Sequence, residues 1–223
     1  INLEVISSHV ETEDTEENLK YLPRTGCKYI INPGLAVTNV KEAYETAKFL
    51  NDMGRKAKNA GMKYGYHNHS NDFLKLGDKM ICDILIEETD PELVAFELDI
   101  AWAYRADVDA AEYIRKYPGR FELIHVKETK EFPMKLDFMK PIPKDKQGEK
   151  DISGWPKLDP EAAKKLDEGL SINCELGKGI VDMRAVKMSA EAQPCTPLYI
   201  VERDYAWTGD IFTTLAADAG YLR

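Results

Sequence analysis

Four histidines and a set of acidic and basic side chains fall where apolar runs of the chain come to an end. "MKYGYHNH" closes on His67 and His69, "LVAFELDI" carries Asp99, "FELIHVK" closes on His125 and Lys127, and "LYIVERD" closes on Glu202 and Asp204. His9 closes "LEVISSHV". Imidazoles and carboxylates are the side chains that bind divalent transition metals and move protons near neutral pH. Two imidazoles with two carboxylates suit Mn²⁺, Co²⁺, Fe²⁺ or Zn²⁺, and are too rich in nitrogen for Ca²⁺. Each residue alone has a plainer use: a single strand-end histidine is more often hydrogen-bonded than ligating, and Asp99 alone could cap a helix. All four histidines at strand ends, with none on a helix surface, favour one metal site over four separate explanations.

The elements that must position these groups are short β-rich runs at 3–10, 27–33, 62–69, 93–100, 121–127 and 198–204. Between them, "TEENLKYLPRT", "VKEAYETAKFLNDMGRKAKNAG", "KMICDILIEET" and "DVDAAEYIRKYPG" carry helical periodicity. Alternation of this kind predicts an α/β protein with a parallel sheet, in which the carboxyl ends of the strands open onto one face where catalytic groups are mounted. Side chains alternate along a strand, so Asp99 shares a face with Glu97, His125 with Lys127, His67 with His69, and Glu202 with Asp204. By the same parity Lys63 and Glu97 both point inward, as a buried pair beneath the site or as ends reaching the floor of the fold.

The stretch from about 128 to 173 breaks the rhythm with prolines and no sustained period until "DPEAAKKLDEGL", which reads as a capped helix. It is read as a loop-rich insertion of the kind that covers a site, within a single domain spanning 1–223. "PKDKQGEKD" at 143–151 mixes both charge signs, as a solvated loop does. "ELGKG" at 175–179 lacks the frame of a phosphate-binding loop and reads as a tight turn. Trp102, three residues past Asp99, could stack on a sugar face or pack; with His9 it is assigned to substrate contact.

A chain of 223 residues that is 43% hydrophobic can bury a sizeable core, and a net charge of −9 without a basic stripe argues against nucleic acid. No apolar run is long enough to span a membrane, so no membrane partner is expected. The start has neither the basic flank nor the apolar stretch of a signal peptide, and it lacks an initiating Met, as a processed or truncated product would. The compartment is left open by the sequence, with the cytoplasm favoured. The four cysteines are spaced far apart without a C-x-x-C pair and read as ordinary thiols.

"KYGYHNH", "ELDIAW", "RFELIHVKE", "ELGKGIVD" and "YIVERD" occur in an order and spacing that resemble the sugar phosphate isomerase/epimerase group of the xylose isomerase-like TIM-barrel superfamily. The resemblance covers most of the chain and is weak over 128–173. It implies a (β/α) barrel and one divalent cation held from strands five to eight by a carboxylate, an Asp, a His and a Glu. By position these fall on His67, Asp99, His125 and Glu202. His67 replaces the Glu more common in ketose epimerases, and a metal-bound imidazole has no lone pair left to act as a base. Glu202 is then the base, with His69 or Lys127 as the second proton-transfer group. Relatives also tend to carry Gly after "RA", where this chain has Asp107.

What the resemblance implies is proton abstraction beside the carbonyl of a keto-sugar or related polyol, with a metal stabilising the enediolate. Reprotonation gives an isomerase or epimerase; loss of a β-substituent gives a dehydratase or lyase of an inosose or 3-keto-glycoside. A barrel that keeps its shape as a non-catalytic carbohydrate-binding protein is the alternative outside enzymology. The expected partner is a small carbohydrate, and a homo-oligomer is compatible with the sequence. A full barrel of this superfamily has eight strands and only six are read here, the first aligning with the third of the family. An incomplete barrel lacking the first two βα units is therefore expected, with the metal face intact.

Overall fold

The computed structural model describes residues 3–130, 173–203 and 210–222. Six parallel strands form one curled sheet: β1 (Ser7–His9), β2 (Tyr29–Asn32), β3 (Lys63–His67), β4 (Val94–Asp99), β5 (Phe121–Val126) and β6 (Leu198–Val201), neighbouring one another in chain order. Each predicted strand is present, one to five residues shorter than expected. Among the described residues β1 and β6 each have one neighbour, so the sheet is an open half-barrel of six strands, as expected.

Helices follow the strands along the chain: α1 (Thr15–Tyr21), α2 (Val40–Asn59), α3 (Ile81–Glu88), α4 (Ile100–Arg105), α5 (Ala110–Lys116) and α6 (Met183–Glu191) between strands, and α7 (Ile211–Tyr221) after β6. Helix α2 shows how local sequence sets such an element. The Asn39 side chain accepts the Glu42 N–H at 3.0 Å, Glu42 reaches back to the Thr38 N–H at 2.7 Å, and Lys56 and Lys58 lie in the last turn. Its buried positions Ala43, Ala47, Leu50, Met53, Gly54 and Ala57 follow the helical repeat. They pack against the outer face of the strands in the main core, which includes Ile30, Tyr64, Tyr66, Phe96, Leu98 and Ile124. None of the described helices is long and apolar enough to cross a membrane.

The inner face of the curl has its own small core. Ile31, Ala95 and Leu123 meet there, flanked by Tyr29, Leu198 and Ile200. Gly65 on β3 leaves room for Ile31: a Cβ at Gly65 would lie 2.3 Å from Ile31 Cδ1. At the floor, Lys63 pairs with Glu122, which also accepts the Tyr29 hydroxyl at 3.0 Å. Of the two readings offered for Lys63 and Glu97, the buried pair is not formed, and Lys63 lies at the floor with Glu122. His67, not Lys63, lies opposite Glu97 in the ladder, and four residues of strand separate the two by roughly 13 Å. An irregularity between Phe96 and Glu97 skips Glu122 in the pairing of β4 with β5, which frees it for Lys63.

The feet of the insertion are tied together, because Glu128–Thr129 pairs antiparallel with Asn173–Cys174. Residues 131–172, including the helix predicted in "DPEAAKKLDEGL", and Asp204 lie outside the described residues. The "ELGKG" turn is present, with Gly177 at φ +77°. The turn and the residues just after it serve the buried Glu128 carboxyl group, which accepts the N–H groups of Gly177 at 3.2 Å and Val181 at 3.0 Å. Asp107 follows α4 in the left-handed region at φ 60°, a conformation that glycine adopts more readily than other residues. The four cysteines are free thiols, three of them buried.

Candidate active site and metal centre

The carboxyl ends of the strands carry the predicted groups to one face. Parity and register do the positioning. His67 ends β3 opposite Glu97, Asp99 ends β4 opposite His125, and the Glu202 N–H continues the ladder onto the Val126 carbonyl at 3.2 Å. His67, Glu97, Asp99, His125 and Lys127 are all buried, and Glu202 is partly open.

Two clusters result. In the outer one, His125 Nδ1 lies 3.8 Å from Asp99 Oδ2 and 3.9 Å from Glu202 Oε2. In the inner one, Glu97 Oε2 lies 2.6 Å from His9 Nε2, 3.0 Å from His67 Nδ1 and 3.9 Å from His125 Nδ1. Each cluster offers ligand atoms within 4.8 Å of one another. Of the four residues expected to ligate a cation, Asp99, His125 and Glu202 converge. His67 stands between the clusters, with Nδ1 toward Glu97 and Nε2 4.0 Å from Asp99 Oδ2.

The backbone around these groups is clamped. Asp99 Oδ1 accepts the Trp102 N–H at 2.9 Å and so caps α4, which leaves Oδ2 buried with no hydrogen-bond partner. Asn68 bonds the Asp99 backbone on both its N–H and its carbonyl. Asp72 accepts the His69 N–H at 2.7 Å and the Tyr66 hydroxyl at 2.8 Å, which holds the turn that carries His69. The His69 ring lies 4.9 Å from His67 and 5.4 Å from Trp102, centroid to centroid. Gly34 allows this: at φ +137°, a Cβ there would stand 3.2 Å from His69 Nδ1.

Trp102 is a partly exposed wall of the site, with Lys127 Nζ 5.2 Å and Arg105 Cζ 4.6 Å from its ring centroid. Lys127 Nζ donates to Glu202 Oε2 at 2.6 Å.

Electrostatics separate the protonation states. Burial pushes Glu202 up, but the Lys127 ammonium and His125 outweigh it and hold the carboxyl below its usual range. Glu97 behaves likewise, with the His67 and His9 hydrogen bonds overcoming burial. Burial, reinforced by the surrounding cationic side chains, drives His69 well down, so its imidazole is neutral. Burial also lowers His125 against the pull of Asp99. For His67, burial is outweighed by its hydrogen bond to Glu97, and the net shift is upward. Asp99 is raised chiefly by burial, against Lys127 and His125.

Sequence reasoning did not single out Asn68 or Asp72, and of its two readings for Glu97 the pairing with Lys63 is not the one found. Strand parity signalled Glu97. Asn68 sits between two histidines, yet nothing in its type tells a backbone clamp from a turn residue.

The fold is that of the xylose isomerase-like TIM barrels. A sugar phosphate isomerase/epimerase from Parabacteroides distasonis ATCC 8503 superposes with a TM-score of 0.60 at 24% identity, over 99% of this chain and 76% of that one. The IolI protein, in a structure described with a binding zinc atom, gives 0.65 at 13% identity, over 97% of this chain and 74% of that one. In sequence, 96 residues are 32% identical to an inosose dehydratase from Clostridium tetani, which is 43% of this chain and 32% of the dehydratase. The match thus spans about a third of the length of that curated relative. No protein-family profile matches the chain.

Proposed function

We propose that this chain is a metal-dependent enzyme that removes the proton beside the carbonyl of a keto-sugar or related polyol and returns it as an isomerase or epimerase does. The observation that carries the reading is the buried, unpartnered Asp99 Oδ2, which faces His125 Nδ1 beside Glu202. Leaving a buried carboxylate oxygen unpaired costs several kcal/mol, roughly, and a cation removes that cost. His67, Asp99, His125 and Glu202 are the residues that would hold it, and their mixed nitrogen and oxygen donors fit Mn²⁺, Co²⁺, Fe²⁺ or Zn²⁺. Such an ion supplies Lewis-acid polarisation of the substrate carbonyl. The zinc in the IolI structure supports the same reading.

The remaining work falls to the chain's own side chains. Glu202 is ionised, partly open to the site and able to take the α-proton. Lys127 holds it in place and carries protons that Glu202 lacks. The neutral His69 offers a second proton-transfer group, and the turn fixed by Asp72 orients it. Trp102 gives the sugar an apolar wall. Loss of a β-substituent after the same abstraction is the second reading, favoured by the identity to inosose dehydratase.

The test is incubation of metal-loaded protein in D₂O with keto-sugars, inososes and 3-keto-glycosides, followed by mass analysis of recovered substrate. The expected result is one deuterium gained at the α-carbon of at least one substrate, abolished by chelation. Metal-loaded protein that exchanges none of them contradicts the proposal.

A further inference from the structure

We propose that the site holds two divalent cations, with a second one bound beneath the first by His9, His67 and Glu97. The inference rests on the metal reading above and moves His67 from the first ion, held by Asp99, His125 and Glu202, to the second. Glu97 and Asp99 are two residues apart on the same face of β4, both fully buried, and each keeps one oxygen, Glu97 Oε1 and Asp99 Oδ2, without a hydrogen-bond partner. A cation among Asp99, His125 and Glu202 satisfies only the second of these. Nor does it use His9, whose Nε2 is 2.6 Å from Glu97 Oε2.

The orientation of His67 points the same way. One ring presents Nδ1 to Glu97 at 3.0 Å and Nε2 toward Asp99 at 4.0 Å. The neutral ring has one lone pair, so an ion taken at Nδ1 beside Glu97 leaves Nε2–H as a donor on the Asp99 side and removes His67 from the outer ligand set. If Glu97 merely oriented His67 for an outer metal, one acceptor bond would suffice and His9 would have no reason to converge on the same oxygen. Two histidine nitrogens and a carboxylate are a sufficient protein set for an ion such as Zn²⁺, with positions left for water. His9 is partly exposed, so that ion is reachable from solvent.

The experiment strips the protein with chelator, loads it with Zn²⁺ alone, desalts it and measures zinc per chain. Wild type is expected to hold two equivalents. His9→Ala and the milder His9→Gln are each expected to lose one, as is Asp99→Asn, with the fold of every variant checked by circular dichroism. One equivalent in wild type, kept in both His9 variants and lost in Asp99→Asn, overturns the second cation and leaves the first. Two equivalents retained in both His9 variants also overturn it, because His9 is then no ligand. One equivalent lost in the His9 variants but kept in Asp99→Asn overturns the pair and the outer ligand set together. No zinc in wild type overturns both readings.

Discussion

Asn68 holds the backbone of Asp99 on both sides: its Oδ1 accepts the Asp99 N–H at 3.0 Å, and its Nδ2 donates to the Asp99 carbonyl at 3.4 Å. The side chain of one strand end thereby continues the ladder to the next, and the carboxylate that follows is fixed by backbone as well as by its cap on α4. Groups that orient ligands typically matter about 10- to 100-fold in metal affinity. Asn68→Ala is therefore expected to weaken divalent-cation binding by about that factor in calorimetric titration. Unchanged affinity would mean that the α4 cap alone positions Asp99.

Glu202→Gln keeps the shape of the side chain and an acceptor for Lys127 but removes the proton acceptor. The expected outcome is a loss of about 10²- to 10⁴-fold in α-proton exchange, the usual contribution of a positioned base. Exchange at the wild-type rate would assign abstraction to another group, with His69→Gln as the next variant to assay.

Asp72 gives a pH dependence. Burial raises its carboxyl to about 6, against the hydrogen bonds from His69 and Tyr66. The folded state then binds a proton that the unfolded chain has released, so stability falls as pH rises from about 4 to about 6 and stays lower above that window. The term is at most about 3 kcal/mol. Urea unfolding of wild type and Asp72→Asn at several pH values from 4 to 7 is expected to show curves whose difference changes across that window. Parallel curves would show that Asp72 does not titrate there.

Much of this arrangement is legible in the sequence because strands write their faces in alternation and end in polar residues. His67, Asp99, His125, Lys127 and Glu202 are placed at one end of one sheet by that rule alone. Pairing between strands is not written in the same way. Nothing local states that His67 and not Lys63 lies opposite Glu97, or that Glu122 is skipped between β4 and β5. The short helix α4 is hidden because it begins at Ile100 directly after the strand, with Asp99 serving as both candidate site residue and N-cap. Helix α7 is hidden for another reason: its buried positions are the polar Thr214 and Asp218, so it has no apolar stripe to read.

Gly54 tests packing against propensity. In the middle of α2, alanine would ordinarily be favoured by about 1 kcal/mol. A Cβ there, however, would lie 2.8 Å from both the Cβ and the carbonyl oxygen of Leu93, and backbone cannot easily give way. Gly54→Ala is expected to destabilise the protein by about 1–3 kcal/mol in denaturant unfolding. Stabilisation would mean that α2 does not seat on the loop before β4 as described.

The most direct measurement is anomalous diffraction at the zinc edge from crystals of the protein soaked in Zn²⁺. The expected result is a peak bonded to Asp99 Oδ2 and His125 Nδ1, with Glu202 turned toward it, at the roughly 2.0–2.2 Å typical of oxygen and nitrogen ligands. Well-ordered density for these side chains with no anomalous peak among them would contradict it.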